Sequence, residues 1–471
     1  MTESPTSTNP TTESAGDSVW RVVGASMVGT TLEWYDFFLY GTAAAVVFPK
    51  VFFVKSDPLT ATLLSFLTYA LGFAARPIGG VVFGHVGDRV GRKKTLMVSL
   101  VIMGIATTGM AFVPGYNSIG VWAPVLLTSL RMVQGFALGG EWGGSVLIVA
   151  ERDKSRRGFW ASWPQAGAPL GLVLGTGVLI LLSQNMSEKS FLDWGWRVSF
   201  GLSAILLLVG VWVRKSLNET EAFRAAQAKK ESAPPKLPAL EVFRTSWREI
   251  LIAFGTRMAE NISFYLVATF SVTWITVHLK LPKSFGLDAV MIGAAVETVL
   301  IPVFGMLSDR IGRRPVYLAG AIGIGVWTPI FFALVDQKSY PLAVLAITVA
   351  LAFHGLMYGP QAAFFAEMFP TGVRYSGASI GYQVASIAAG APAPLIAVAI
   401  LEHNGGKTSA WLTLYMGLAA VVTIIALYFA RETRSVSMSG EADGAVDGEG
   451  DGKRDGEADA SGTKHSVQVL S

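Results

Sequence analysis

The chain has 471 residues, of which 52% are apolar and only 15% are charged, and its mean hydropathy is +0.48. A soluble domain usually carries about 25% charged residues, so the composition excludes an ordinary soluble enzyme. The formal net charge of +4 does not indicate nucleic-acid binding, because the basic residues are concentrated in short loops between apolar segments. The absence of cysteine excludes disulfides and thiol chemistry.

Apolar segments of about 20 residues recur along the chain, and each is long enough to cross a hydrocarbon core about 30 Å thick. We predict six of them at 21–48, 60–86, 95–113, 119–150, 158–183 and 195–214. Six more are predicted at 248–277, 287–307, 315–335, 341–366, 376–401 and 409–430. The first segment is expected to be retained, because the 17 residues before it are polar and do not resemble a signal peptide.

A long polar stretch divides these segments into two sets of six. The predicted organisation is a disordered N-terminal tail at 1–17, a six-helix bundle at 18–215, a linker at 216–247 and a second bundle at 248–432. Residues 433–471 are rich in Gly, Asp and Glu and have few apolar side chains to bury, so we predict a disordered tail. The predicted fold class is therefore an all-α membrane protein with twelve transmembrane helices in two pseudo-symmetric bundles.

Basic residues occupy alternate loops, with clusters around Arg92, Arg156 and Arg313. The positive-inside rule assigns such loops to the cytoplasm. We therefore expect both termini to be cytoplasmic and the chain to lie in a bacterial inner membrane.

A short motif occurs once in each half. Residues 84–94 read GHVGDRVGRKK, and residues 305–314 read GMLSDRIGRR, with the aspartate 221 residues further along. A second repeat pairs the Ala-Glu of residues 150–151 with that of residues 366–367. Each copy falls at the cytoplasmic end of a corresponding span, as two halves related by an axis along the membrane normal require.

The repeated motif resembles the signature G-x-x-x-D-R-x-G-R-K-K of the major facilitator superfamily, which residues 84–94 match in full. Segments 31–41, 76–80, 131–141 and 366–377 further resemble the metabolite:proton symporter family, which includes transporters for α-ketoglutarate, shikimate, citrate and proline/betaine. The resemblance covers residues 20 to about 432. It implies transport by alternating access, without a cofactor other than the proton as coupling ion.

The resemblance also implies a cytoplasmic gate made of ion pairs. Its members would be Gly84, Asp88, Arg89, Arg92 and Glu151 in the first half and Asp309, Arg313 and Glu367 in the second. The glycine permits close helix contact, and the aspartates can accept charge-assisted hydrogen bonds from helix N-termini or arginines. The alternative is that the arginines only set the topology.

Several ionisable side chains lie well inside predicted spans, where charge is costly and usually functional. Arg76 lies 12 residues before Asp88, which corresponds to about 18 Å along a helix and to mid-depth in the membrane. The 221-residue offset aligns Arg76 with Glu297 and Asp36 with Arg257. Either these opposite charges neutralise each other across the pore, or the arginines bind an anionic substrate and the carboxylates carry the proton.

Asp36 and Arg131 resemble the pair in proton-coupled sugar transporters, in which an aspartate of the first helix takes the proton and an arginine of the fourth helix modulates it. An adjacent guanidinium favours the charged form of an aspartate and burial favours the neutral form, so closure of a cavity can load or release a proton. We therefore predict Asp36 as the proton carrier, with Glu33 and Glu141 as the alternatives.

Candidate substrate contacts are the polar and aromatic side chains on spans expected to line a central cavity. In addition to Arg76, Arg257 and Glu297, they are Trp34, Tyr35, Tyr40, Gln134, Tyr265, His354, Tyr358 and Gln361. Tyrosine and tryptophan also anchor helices at membrane interfaces. A single intramembrane histidine is more often a satisfied interior group than a proton relay.

The function favoured by these residues is symport of a small polar metabolite with protons, and a carboxylate is preferred because guanidinium matches it bidentately. A zwitterionic osmolyte such as proline or betaine is the alternative, although residues 435–471 lack the apolar heptads of the C-terminal coiled coil in osmosensing relatives. Export of drugs or organic acids would use the same fold. No metal-binding or phosphate-binding motif is present in the sequence, and the expected partners of a monomer are the substrate and the bilayer, without nucleic acid.

Overall fold

The computed structural model describes residues 19–90, 92–139, 141–150, 155–215, 244–370, 374–403 and 408–436. The side chains of residues 58–59, 84–85, 87–90, 92–93, 141–144, 148, 214 and 375 are not part of that description. All regular secondary structure within the described ranges is helical. The two ends of the molecule are named below by the orientation that the basic loops predict.

The first half contributes spans 1 to 6. In order, they are Val19–Val46, Pro58–Val90, Arg92–Met110, Trp122–Leu138 continued by Glu141–Ala150, Arg157–Asn185, and Trp196–Lys215. Short helices at Phe48–Val51, Tyr116–Ile119 and Glu188–Ser190 lie in the periplasmic connections.

The second half contributes spans 7 to 12. They are Trp247–His278, Lys283–Ile311, Arg313–Val335, Tyr340–Met368, Arg374–Ala385 continued by Ala393–His403, and Ala410–Phe429. Span 7 contains a π-helical turn at Leu266–Phe270, and span 11 contains one at Ser386–Gly390. Such turns are frequent at functional sites, and both begin beside residues of the central cavity described below.

Nine helices in the described ranges are long and apolar enough to cross a membrane. The three other spans are the first, the third and the fourth. Span 1 combines its apolar residues with buried Glu33 and Asp36, and the third includes a shorter apolar helix, Lys94–Met110. Large apolar side chains such as Leu208, Val299 and Tyr428 are exposed on the outside, as lipid contact requires. The predicted starts and ends of the spans agree with the structure within a few residues. The largest differences are at both ends of span 8, predicted at 287–307 and found at Lys283–Ile311, and at the end of span 2, predicted at 86 and found at Val90.

Glycines bring spans 2 and 4 into backbone contact. A Cβ atom built on Gly135 would overlap the carbonyl oxygen of Gly72, and one on Gly139 would overlap that of Arg76. Small residues at helix interfaces permit this close approach in membranes. Because Arg76 and Arg131 lie on these two spans, the glycine contact fixes the separation of the two buried arginines.

The two halves meet mainly where span 5 packs against spans 8 and 10 and where span 2 packs against span 11. At the cytoplasmic end, Gly158 of span 5 lies against Gly305 of span 8, and a Cβ on Gly158 would lie 2.5 Å from the Gly305 oxygen. Gln383 of span 11 donates a hydrogen bond of 3.1 Å to the carbonyl of Gly139 in span 4. The halves are therefore in direct contact where substrate would leave toward the cytoplasm.

Candidate functional site

A small central cavity lies between the two halves at mid-depth. Trp34, Arg76 and Ala168 of the first half face Arg257, Glu260, Asn261, Phe264, Tyr265, His354, Tyr358, Tyr382 and Ser386 of the second half. Its free volume is about 10 Å³, which is about the space needed by one water molecule. A metabolite therefore enters only when the halves move apart.

Arg76 is the main polar group that the first half presents to this cavity. Its guanidinium lies over the rings of Phe37 and Phe73, 4.6 Å from each centroid, and 5.7 Å from the ring of Trp34. The Nε and Nη2 atoms are buried, and no residue in the described part of the chain forms a hydrogen bond with them. Because an unsatisfied buried guanidinium is costly, these two donors are suited to an anionic ligand.

The second half presents a chain of ionisable groups instead of a single cation. Arg257 lies 3.0 Å from Glu260, and Glu260 accepts a hydrogen bond of 3.2 Å from Gln361. The Nε2 atom of His354 is 3.3 Å from Glu260 Oε1, and its Nδ1 atom contacts Glu297 Oε1. All five side chains are buried, so their charges must be balanced within the cluster.

Arg257 is held on its other side by span 11. It donates hydrogen bonds to the Tyr382 carbonyl at 3.1 Å and to Ser386 Oγ at 3.3 Å. The guanidinium carbon lies 3.3 Å from the centroid of the Tyr382 ring. This arginine is thus positioned at the cavity wall by span 11 and neutralised by its own span 7.

A separate polar cluster lies inside the first half. Ser203 of span 6 donates a hydrogen bond of 2.5 Å to Asp36. Arg131 bonds to Gln134, which donates to Thr107 at 2.7 Å. Asp36 and Arg131 both belong to the described part of the structure, and they do not form an ion pair with each other. The guanidinium of Arg131 instead stacks between aromatic rings, which are those of Phe37, Tyr40 and Tyr69.

The cytoplasmic end is closed by Asp309 of span 8. Its carboxylate accepts hydrogen bonds of 2.8 Å from the backbone N–H groups of Gly158 and Phe159, at the start of span 5. A helix N-terminus favours negative charge, because its first N–H groups lack intrahelical partners. Arg313 of span 9 also contacts this carboxylate, at 2.7 Å. A charged side chain of the second half thus caps the N-terminus of a helix in the first half.

Glu367 extends this network within the second half. Arg313 donates to it at 3.1 Å and 3.2 Å, in the bidentate geometry typical of guanidinium and carboxylate. Thr433 donates at 2.7 Å, and Arg157 of span 5 lies 3.7 Å away. Of the predicted gate residues, Asp309, Arg313 and Glu367 therefore form one connected group that reaches across to span 5.

The amino-acid sequence matches the family described as Sugar (and other) transporter over residues 22–241 and 236–440. The chain belongs to this family of membrane transporters. It is 41% identical to the inner membrane metabolite transport protein YhjE of Escherichia coli, over 89% of this chain and 95% of that protein. It is 39% identical to the shikimate transporter of Escherichia coli, over 82% and 89% of the two chains.

Two further similarities concern osmolyte transport and the fold. The proline/betaine transporter of Escherichia coli is 33% identical, over 90% of this chain and 86% of that protein. The solved structure of the proton:xylose symporter XylE, a member of the major facilitator superfamily, superposes with a TM-score of 0.72 over 88% of this chain and 96% of that one, at 17% identity. The predicted fold and the predicted superfamily are thereby confirmed, and the protein is a transporter and not an enzyme.

The structure of this transporter places six of the predicted substrate contacts at the cavity wall, which are Trp34, Arg76, Arg257, Tyr265, His354 and Tyr358. Glu297 and Gln361 lie one contact further out, behind His354 and Glu260.

Three other predicted substrate contacts, Tyr35, Tyr40 and Gln134, lie away from the cavity. The Tyr40 hydroxyl shares a hydrogen bond of 2.7 Å with Thr68. Tyr35 donates a hydrogen bond of 2.9 Å to the carbonyl of Ser199 in span 6, and Gln134 bonds to Arg131 inside the first half. Trp34 faces the cavity, and the next residue on a helix points about 100° away from it. Tyr35, Tyr40 and Gln134 therefore do not line the cavity in this closed state, and their assignment as substrate contacts stays a prediction.

Arg76 and Glu297, which the sequence offered as a pair of opposite charges, do not pair with each other in this structure. Glu297 contacts His354 of span 10, and Arg76 stacks on aromatic rings of its own half. The carboxylate that neutralises an arginine of the cavity wall is Glu260, which pairs with Arg257. Glu260 is not among the site residues predicted from the sequence. Its position three residues after Arg257, on the same helical face, is the signal that could have identified the pair.

Among the predicted proton-coupling residues, Asp36 and Arg131 belong to the cluster inside the first half, and Glu33 is buried in span 1 without lining the cavity. The Glu141 side chain and the gate positions Gly84, Asp88, Arg89, Arg92 and Glu151 lie outside the described residues and side chains. The roles assigned to them remain predictions.

Proposed function

We propose that this transporter imports a small organic anion, with a carboxylate group, together with protons. The observation that carries the proposal is Arg76, whose Nε and Nη2 atoms point to no hydrogen-bond acceptor in the described structure although the side chain is buried at mid-depth. Two donors of one guanidinium match the two oxygens of a carboxylate. Arg257, on the opposite wall of the same cavity, provides a second cation.

Proton coupling is part of the proposal because acidic groups lie beside the anion site. Glu260 and His354 line the cavity, and Glu297 contacts His354 from behind. Burying an anion beside buried carboxylates is unfavourable unless a proton enters with it. A proton gradient across the inner membrane would then drive the anion inward.

A zwitterion such as betaine or proline is the second candidate, since one relative transports proline and betaine. Quaternary ammonium groups bind over aromatic faces. In this cavity, however, Arg76 already occupies the face of Trp34 at 5.7 Å and Arg257 that of Tyr382 at 3.3 Å. A cationic ligand group at either of these two rings would have to displace an arginine, and this favours a simple anion.

The rest of the assignment follows from the same geometry. The cavity is formed within a single chain, so we propose that the monomer is the working unit. We also propose that it lies in the inner membrane with both termini in the cytoplasm, because the positive-inside rule assigns the basic loops to that side.

The proposal is tested with purified protein in liposomes under an inward proton gradient. The probes are radiolabelled shikimate as the anion, proline and betaine as zwitterions, and xylose as the neutral compound. We expect uptake of the anion, and dissipation of the gradient should abolish it. Preferred uptake of a zwitterion or of xylose, or net export of the anion, would contradict the proposal.

Variants of Arg76 test the site itself. We expect Arg76→Met, which keeps the length but removes the charge, to raise the KM for the anion about tenfold to a hundredfold, the loss of a charge-assisted hydrogen-bond pair. Arg76→Lys should retain part of the affinity, because it keeps the charge without the bidentate donors. Lys189→Met, at an exposed periplasmic position, is the control. Equal KM values in all four proteins would refute the assignment of Arg76.

A further inference from the structure

His354 lies between two carboxylates at the boundary of the cavity. Its Nδ1 atom faces Glu297 Oε1 and its Nε2 atom faces Glu260 Oε1. The ring is buried, with 2% of its side chain exposed, against 0% and 3% for the two glutamates. Both ring nitrogens therefore meet a carboxyl oxygen in a region that bulk water does not reach.

Counting protons in this arrangement gives a definite result. A ring nitrogen that faces a carboxyl oxygen forms a hydrogen bond only if a proton lies between the two atoms. Two such contacts need two protons, whereas a neutral imidazole carries one. The cluster therefore holds one proton more than a neutral histidine and two carboxylates, either on the ring or on one carboxyl group.

Removal of that proton has a predictable consequence. One ring nitrogen would then present its lone pair to a carboxylate, and that contact would have to open. Glu297 has His354 as its hydrogen-bond partner, and its Oε2 atom has none among the described residues. Glu260, in contrast, also contacts Arg257 at 3.0 Å and Gln361 at 3.2 Å. Glu260 is thus the partner that can leave His354 and turn its full charge to Arg257.

The groups that face this cluster come from every span packed around it. They are Arg257 and Glu260 of span 7, Glu297 of span 8, Tyr317 of span 9, Tyr358 of span 10 and Tyr382 of span 11. Arg76 faces it from the first half. The two arginines balance the two glutamates, so the additional proton leaves one positive charge for one anionic group of the substrate.

We infer that Glu260, His354 and Glu297 form the proton-binding site of the transporter, and that a proton bound there shares the charge of Glu260 between His354 and Arg257, so that Arg257 can exchange Glu260 for the substrate anion. Protonation then precedes binding of the anion. In the unprotonated state, Glu260 turns its full charge to Arg257 and the anion is excluded. This inference rests on the proposed function for the identity of the substrate, and it moves the coupling proton from Asp36 to the second half.

The first test separates proton coupling from substrate binding. Wild type and the variant Glu297→Gln are compared in liposomes for accumulation of shikimate under a proton gradient and for exchange of shikimate between two equal pools, which requires no net proton movement. We expect Glu297→Gln to lose accumulation and to retain exchange. Asp36→Asn should retain both, and Glu188→Gln, a carboxylate with 73% of its side chain exposed, serves as the control. Accumulation by Glu297→Gln at the wild-type level, or its loss in Asp36→Asn alone, would overturn the inference.

The second test needs no substrate and therefore stands even if shikimate and the other anions are not transported. Infrared difference spectra between acidic and alkaline pH, recorded on the purified full-length protein, follow the carboxyl and imidazolium bands. We expect a titrating band that is absent in both Glu297→Gln and His354→Gln and present in Asp36→Asn. A spectrum of either cluster variant identical to that of wild type would refute the proton site, whereas failure of uptake by wild type would refute only the proposed function.

Discussion

The variant Asp309→Asn should open the cytoplasmic side of the transporter. Asp309 is attached to the second half but accepts the backbone N–H groups of Gly158 and Phe159 in the first half, at 2.8 Å each. Its bond to Arg313 joins two residues of the second half, so it does not hold the two halves together. Asparagine has one acceptor oxygen and would leave one of the two N–H groups without a partner.

The magnitude follows from these two contacts. Loss of one buried charge-assisted hydrogen bond costs about 1–3 kcal/mol, and loss of the negative charge at a helix N-terminus costs about 0.3–1 kcal/mol more. A total of about 3 kcal/mol corresponds to a change of about a hundredfold in the ratio of the closed to the open state. A protein that is mostly closed would become mixed or mostly open on this side.

Spin labels can measure this change, because the chain contains no cysteine of its own. Cysteines introduced at Lys94 and Arg248, exposed positions at the cytoplasmic ends of spans 3 and 7, report the distance between the halves. We expect a longer population to appear in Asp309→Asn and not in Asp288→Asn, a control on the same helix that forms no ion pair or hydrogen bond with the described residues. An unchanged distance distribution in Asp309→Asn would refute the assignment of Asp309 as a link between the halves.

Two further predictions concern packing within the first half. Gly139→Ala should lower the free energy of unfolding by about 1–3 kcal/mol, because the added Cβ would overlap the Arg76 carbonyl oxygen; thermal unfolding in detergent measures it, and Gly201→Ala, with no atom within 4 Å of the added Cβ, should be neutral. Tyr35→Phe should cost about 1 kcal/mol through loss of the hydrogen bond to Ser199, while the KM for the transported anion stays unchanged; a raised KM would return Tyr35 to the substrate site.

The fold was accessible from sequence because membrane spans are defined by length and hydropathy. Span 9, predicted at 315–335, is found at Arg313–Val335. The interruptions inside spans were not predicted. The π-helical turns follow Tyr265 and Ala385, and hydropathy carries no signal for them.

The site was only partly predictable from the sequence. The depth of a residue can be counted along its helix, but the sequence does not show which helices lie next to each other. Counting placed Arg76 at mid-depth, and the structure has it at the cavity. The same counting aligned Arg76 with Glu297, yet His354 of span 10 occupies the position beside Glu297. Which of several charges at one depth form a pair depends on the order of the helices around the pore, and a linear repeat does not specify that order.

The repeat therefore relates the halves in position but not in chemistry. Arg76 and Glu297 lie at equivalent positions of the repeat. Arg76 lines the cavity and stacks on the rings of Phe37 and Phe73, whereas Glu297 is separated from the cavity by the imidazole of His354. An anion at Arg76 and a proton on His354 would then be held by different halves across a cavity that closes to about 10 Å³. Closure brings the two charges together, whereas separation of the halves exposes each of them to water. A transporter that has bound only one of the two ligands would therefore gain less free energy from closing. This difference provides a physical basis for coupling, since a proton on the second half leaves a positive charge that an anion at Arg76 balances.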